Sequence, residues 1–313
     1  MLLAVGLSLI GLVLLAVAAD HLVIGSARLA DRFQVAPVVV GVVVIGLGTS
    51  APEFLVSGLA AAGGHGGLAV GNLAGSNLLN LTLILGVAAL LTPVRVLSTV
   101  PRREAPLSVL AVLVFAIAVL IGLSNWIGAA LAVLMGGALV LLVRFARTGA
   151  GDPYPGEVTE FVEAGPASSA PAEMVRAVLG LAGTLAGAQL LVTNASDIAT
   201  RLGVPQSVIG FTLVALGTSL PELVTSIQAQ RRGESDLLVG NLLGSNLFNS
   251  LAGGAIVGLA SPVAPSGVGA GPLAAMVLVS LMTWGVLARG HRVTRWEAGL
   301  LVTAYLVTLP LLT

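Results

Sequence analysis

GLGTSAPEFLVSGL, residues 46–59, returns as ALGTSLPELVTSIQ at residues 215–228, and VGNLAGSNLLN, residues 70–80, returns as VGNLLGSNLFN at residues 239–249. Both echoes stand 169 residues from their originals, and the same offset carries Leu22 and Val23 onto Leu191 and Val192 and Gly41 onto Gly210. The chain is a duplication. Working outward from these segments, the remaining sequence decides in what medium the two copies fold and how they face one another.

The medium is a bilayer. Of the 313 residues 57% are hydrophobic and 9% charged, with a mean hydropathy of +1.05, more apolar surface than a soluble domain of this size can hide. A span needs roughly 20 mostly apolar residues. That rule predicts ten spans, at 2–31, 36–62, 68–91, 104–123, 126–146, 173–202, 205–230, 236–260, 268–289 and 295–312. The opening MLLAVGLSLIGLVLLAVAAD lacks the basic start of a signal peptide and its apolar pattern runs on through HLVIGSARLA, so it reads as the first span.

All basic residues are Arg. With the N-terminus outside, Arg28, Arg32, Arg95, Arg102, Arg103, Arg144, Arg147, Arg176, Arg231, Arg232, Arg289, Arg292 and Arg295 lie in or beside the loops after odd-numbered spans, and Arg201 alone falls on the other side. Basic loops stay cytoplasmic, so a multi-pass protein of the plasma (inner) membrane with both termini outside is expected.

Five spans per copy is an odd number, so the second copy enters with reversed polarity. The expected fold is all-α and integral to the membrane, two five-helix inverted repeats with spans two and seven broken, an architecture that places a central site between bundles able to rock or slide. The first repeat covers 1–148 and the second 173–313; the Gly-, Pro- and acid-rich stretch 149–172 reads as a cytoplasmic linker. Its Asp152, Glu157, Glu160 and Glu163 allow a regulatory cation site, but a solvated acidic face is the expected reading.

Glu53 and Glu222 fall near the middle of spans two and seven, where a charge costs about 2.5 to 3.5 kcal/mol, so an intramembrane acid is a functional candidate. A structural ion pair is the plain alternative. The spans contain no Lys, and Arg clusters at their cytoplasmic ends, which leaves a proton or a mobile cation as the neutralising partner. Thr49 and Ser50 precede Glu53 by four and three positions, and Thr218 and Ser219 precede Glu222 likewise, so hydroxyls and carboxylate share neighbouring helix faces. Pro52 and Pro221 break the helix and free carbonyls near Gly48 and Gly217, tolerable at membrane depth only where the backbone lines a cavity or is buried in protein.

Ser76 and Asn80 are four apart, as are Ser245 and Asn249, so each pair projects toward one point. Gly71, Gly75, Gly240 and Gly244 form small-xxx-small patterns that packing explains, and Asn77 and Asn246 point off that face as helix–helix bonds. For the Ser and Asn pairs an interhelical hydrogen bond stands beside the ligand reading. Carboxylates, hydroxyls, amides and carbonyls make an all-oxygen set suited to hard cations; Ca2+ accepts about six to eight oxygens, whereas Zn2+ and Cu2+ prefer nitrogen or sulfur. Two glutamates neutralise one Ca2+, and Na+ competing for the same oxygens supplies a basis for exchange.

At GTSAPE (48–53), GSNLLN (75–80), GTSLPE (217–222) and GSNLFN (244–249) the chain resembles the sodium/calcium exchanger family of prokaryotic type, whose two alpha repeats carry GTSxPE followed by GSNxxN or a close variant. The resemblance implies cation coordination by Thr49, Ser50, Glu53, Ser76 and Asn80 and by Thr218, Ser219, Glu222, Ser245 and Asn249, with spans one and six moving as a gate. Some relatives carry Asp where this chain has Asn249.

The expected function is antiport of Ca2+ against Na+, with both ions bound as substrates, the lipid bilayer as surroundings, no resident cofactor and no obligatory protein partner. A proton/calcium exchanger of the same fold and a cation channel are the rival readings. The zero formal net charge leaves no basic footprint for nucleic acid, the absence of Cys excludes disulfide and thiolate chemistry, and no nucleophile–base pair, cofactor loop or metal–His cluster marks an enzyme. Asp20 and His21 lie in the cytoplasmic half of span one. The repeat partner of Asp20 is the non-ionisable Gln189, so a hydrogen bond to a neighbouring helix is expected of Asp20, with a gating role as the alternative. His65 sits in an external turn.

Overall fold

The computed structural model describes residues 2–33, 41–64, 66–96, 100–148, 169–203, 215–260 and 269–308. The expectations for 34–40, 204–214 and 309–313, for His65 and for the acidic part of the linker lie outside the described residues.

Runs of Leu, Val and Ala with few polar breaks satisfy their backbone groups internally, as hydrocarbon requires. The helices are α1 (Leu2–Arg32), α2 (Leu47–Thr49), α3 (Ala51–Ala62), α4 (Gly66–Leu79), α5 (Leu85–Leu91), α6 (Glu104–Ile121) and α7 (Asn125–Thr148). They continue with α8 (Ala170–Arg201), α9 (Ala215–Thr218), α10 (Leu220–Arg231), α11 (Ser235–Phe248), α12 (Gly254–Ala260), α13 (Ala270–Gly290) and α14 (Arg295–Thr308).

Among the described residues, seven helical stretches are long and apolar enough to cross a membrane: Leu2–Leu29, Gly66–Leu91, Glu104–Ile121, Asn125–Phe145, Ala170–Leu191, Ser235–Ala260 and Ala270–Gly290. The spans expected at 36–62, 205–230 and 295–312 lie partly outside the described residues; their described parts are the π-helical turn Gly41–Gly46 with α2 and α3, then α9 with α10, and α14.

Polarity is distributed as lipid demands. Leu9, Val13, Leu120, Val133 and Leu179 are exposed on the outside, while Asn77, Asn80, Asn246 and Asn249 are wholly buried. Gly66–Leu91 and Ser235–Ala260 form the centre, with 78% and 83% of their most apolar windows buried against 28% for Leu2–Leu29.

α1 and α8 lie antiparallel against each other along their length. A Cβ at Gly11 would stand 2.7 Å from the Leu191 nitrogen, at Gly187 2.6 Å from the Leu15 nitrogen, and at Gly180 2.5 Å from the Leu22 nitrogen. Only glycine permits backbones this close. At one end Arg28 Nη1 donates to Glu173 Oε1 at 2.8 Å, and Arg176 reaches the other carboxylate oxygen at 3.3 Å.

Several segments between the other helices are joined to one another. The strands β1 (Val94–Arg95) and β2 (Arg292–Val293) pair antiparallel, Gln230 Nε2 donates to the Thr92 carbonyl at 2.9 Å, Trp284 Nε1 donates to the Pro101 carbonyl at 2.8 Å, and Arg103 lies over the Phe145 ring.

Candidate functional site

The glutamates owe their positions to paired breaks in the backbone. Ser50, with φ −78° and ψ 2°, separates α2 from α3, and Ser219, with φ −91° and ψ 7°, separates α9 from α10. A proline in the first turn of each following helix, Pro52 or Pro221, has no N–H to continue the preceding turn, so the helix restarts there. Glu53 and Glu222 fall in those first turns, where the helix N-terminus favours a negative charge. Three five- or six-residue π-helical turns adjoin the site, at Gly41–Gly46, Asn80–Ile84 and Asn249–Gly253; such turns are frequent at functional sites.

The two copies exchange ligands across the centre. Ser219 Oγ donates to Glu53 Oε1 at 3.1 Å, and its counterpart Ser50 Oγ donates to Glu222 Oε1 at 3.2 Å. From the central helices Ser76 Oγ approaches Glu53 Oε1 at 3.4 Å and Ser245 Oγ approaches Glu222 Oε1 at 3.3 Å. Six of the ten residues expected in the site are thereby joined directly, and all six are buried.

The other four are placed differently. Asn80 Nδ2 donates to Asn246 Oδ1 at 3.0 Å. Thr49 Oγ1 lies 3.0 Å from the Ile45 carbonyl and 3.2 Å from Asn241 Oδ1, and its hydroxyl also acts on the Glu222 carboxylate. Thr218 is buried beside Ser219, and Asn249 is buried with neither amide atom hydrogen-bonded.

Electrostatically the site is unfinished. Glu53 Oε2, Glu222 Oε2 and Asn80 Oδ1 are buried without a hydrogen-bond partner, and neither glutamate forms an ion pair among the described residues. An uncompensated buried carboxylate costs on the order of several kcal/mol. The described residues contain no cluster of three or more His, Cys, Asp or Glu, so a cation held here would rely on two carboxylates and neutral oxygens.

Asn77 and Asn246 make helix–helix bonds as expected, Asn77 Nδ2 donating to Ser250 Oγ at 2.9 Å and Asn246 Nδ2 to the Asn77 carbonyl at 3.0 Å, but Asn246 does not point away from the expected site residues, since its Oδ1 accepts from Asn80. Asn72 and Asn241 were passed over. Asn241 accepts from Thr49 and donates to Thr225 Oγ1 at 3.1 Å and Ser226 Oγ at 3.3 Å, while Asn72 donates to Ser57 Oγ at 3.0 Å. Their signal was available, because both stand in the repeated VGN at the common offset. Of the glycines expected to let backbones approach, Gly244 does so, a Cβ there standing 2.7 Å from Val42 Cα, whereas Gly71 and Gly75 do not, since a Cβ at either meets nothing within 4 Å. Asp20 has the partner expected from a neighbouring segment: Arg232, at the end of α10, grips its carboxylate through Nε and Nη2.

Comparison with known proteins gives the family. The family profile described as sodium/calcium exchanger protein matches residues 3–144 and 173–313. The putative antiporter CaxA of Alkalimonas amylolytica is 37% identical over 98% of this chain and 97% of its own length. The sodium/calcium exchanger MaX1 of Methanosarcina acetivorans is 29% identical over 97% of each chain. A solved structure of the sodium-calcium exchanger NCX_Mj, soaked with 10 mM Na+ and no Ca2+, superposes with a TM-score of 0.86 at 32% identity, covering 99% of this chain and 98% of that one. Repeated motifs, buried acids and whole-length likeness agree, and the chain belongs to the sodium/calcium exchanger protein family, a family of membrane cation antiporters.

Proposed function

We propose that this chain is a secondary active antiporter that exchanges Ca2+ for Na+ at one central site, by alternating access. The observation that carries the reading is the pair of buried glutamates, each serviced by hydroxyls from both halves and each keeping one oxygen without a donor. Two such carboxylates balance the charge of one Ca2+. Thr49, Ser50, Ser76, Asn80, Thr218, Ser219, Ser245 and Asn249 supply neutral oxygens around Glu53 and Glu222, an environment for a hard cation. Na+ uses the same oxygens at lower charge, so each ion displaces the other.

The reading includes ten passes in two inverted repeats, 1–148 and 173–313, joined by a cytoplasmic linker, with both termini outside the plasma (inner) membrane. Reciprocal contacts support it. The Ser50–Glu222 and Ser219–Glu53 bonds interchange under the offset of 169, as do the Gly11–Leu191 and Gly180–Leu22 approaches. The basic loops that carry Arg95, Arg231 and Arg292 are also joined to one another. α1 and α8, packed together by glycine, form a unit that can shift as a gate over the centre.

The test is 45Ca2+ uptake into proteoliposomes containing the full chain, driven either by an outward Na+ gradient or by a pH gradient alone, with membrane potential clamped. Uptake is expected with the Na+ gradient only, at similar rates with and without K+, because Asn at 80 and 249 leaves no third carboxylate to hold an additional large cation. Uptake under the pH gradient alone would establish the proton/calcium reading instead. An absolute requirement for K+ would overturn the assignment of site charge to two glutamates.

A further inference from the structure

The amides at the centre form a chain whose polarity is fixed at one end. A backbone carbonyl only accepts hydrogen bonds. The Asn77 carbonyl faces the Asn246 side chain at 3.0 Å, so Asn246 must turn its NH2 toward it. Asn246 then presents its oxygen on the other side, and Asn80, also at 3.0 Å, must answer with its own NH2. The remaining atom of Asn80, Oδ1, is buried and has no hydrogen-bond partner. All three asparagines are 0% exposed, so bulk water does not offer the amides another arrangement.

The second half breaks this arrangement at one residue. Under the offset of 169 Asn249 answers to Asn80, Asn77 to Asn246, and Ser250 to Leu81. Ser250 takes the Asn77 amide nitrogen as a donor at 2.9 Å, a bond that Leu81 cannot offer to Asn246. Asn77 Oδ1 and both amide atoms of Asn249 are left without hydrogen-bond partners. One central asparagine is held in a fixed orientation, and its counterpart is held by no hydrogen bond.

We propose that Asn246 is a positioning residue for cation binding, which relays the polarity of the Asn77 carbonyl to Asn80 and commits the Asn80 side-chain oxygen to the transported ion. The relay rests on the reading of Asn80 as a cation ligand, and it makes the site unequal by design: Asn80 is set before the ion arrives, whereas Asn249 turns to suit whichever ion is present. Ser250, not the motif residues themselves, creates the difference.

A double-mutant cycle on the purified full-length protein tests the relay, with apparent Ca2+ affinity read by equilibrium 45Ca2+ binding and folding read by the melting temperature without Ca2+. Asn246→Leu removes the acceptor for Asn80 at nearly constant volume and is expected to weaken Ca2+ binding roughly ten- to hundredfold, the range for partners that orient metal ligands. Asn80→Ala is expected to weaken binding as well. In the Asn80→Ala background the further Asn246→Leu change should cost almost nothing, because the residue through which Asn246 acts is gone. Full additivity of the two losses, or unchanged affinity in folded Asn246→Leu, overturns the relay. Unchanged affinity in Asn80→Ala alone removes Asn80 from the site, a separate failure that falls on the ligand assignment. If Asn246→Leu does not fold, Asn246→Ala completes the same cycle.

Discussion

Glu53 and Glu222 are wholly buried, each keeps an oxygen that nothing donates to, and neither forms an ion pair among the described residues. Replacing either by Gln retains an acceptor for the serine hydroxyls and removes half of the charge that balances Ca2+. Exchange is therefore expected to fall to background in Glu53→Gln and in Glu222→Gln, measured at matched protein density. Without Ca2+ their melting temperatures should equal or exceed that of the parent, since an unpaired buried charge has been removed. The stabilisation conferred by Ca2+, about 2.7 kcal/mol at a concentration a hundred times Kd, should vanish. A mutant with normal Ca2+ stabilisation would place the bound ion elsewhere. At this scale the sequence was informative because both acids recur with the same hydroxyls at helical spacing, far from any basic residue. It did not reveal that Ser50 serves Glu222 and Ser219 serves Glu53. That exchange depends on two interrupted segments crossing in space, and no spacing within one segment encodes it.

Helix pairing shows the same division between what a sequence displays and what it conceals. The proline-linked breaks at residues 50 and 219 were legible, since proline interrupts a helix wherever it stands inside one. The seam between α1 and α8 was not read, because Gly11, Gly180 and Gly187 are scattered among 40 glycines and reveal their purpose only where two backbones touch. A side chain at Gly180 must push against the Leu22 backbone, which has no flexible end to yield. Gly180→Leu should therefore destabilise the protein by about 1 to 3 kcal/mol, the usual cost of overpacking. Gly136→Ala, in an exposed position on α7 with nothing within 4 Å, should match the parent or gain up to about 1 kcal/mol, the helix preference of Ala over Gly. Thermal melts of both variants in one detergent check the contrast; equal melting temperatures would show that the seam tolerates separation.

Across the whole molecule, duplication accounts for the reciprocal bonds at the centre, and later divergence accounts for the features without a counterpart. The Asp20–Arg232 ion pair joins α1 to the end of α10, while the positions equivalent to its partners are Gln189 and Gly63, which cannot form such a pair. Of the ten spans expected from the sequence, those at 36–62, 205–230 and 295–312 lie partly outside the described residues. The central claim concerns the heart of the molecule, where two ions of different charge are held in turn by one set of oxygens. Equilibrium 45Ca2+ binding to the purified chain across a Na+ titration tests it most directly. One Ca2+ per chain is expected at saturation, with Na+ raising the apparent Kd for Ca2+ and leaving that limit unchanged; a Ca2+ affinity indifferent to Na+ would contradict a shared site.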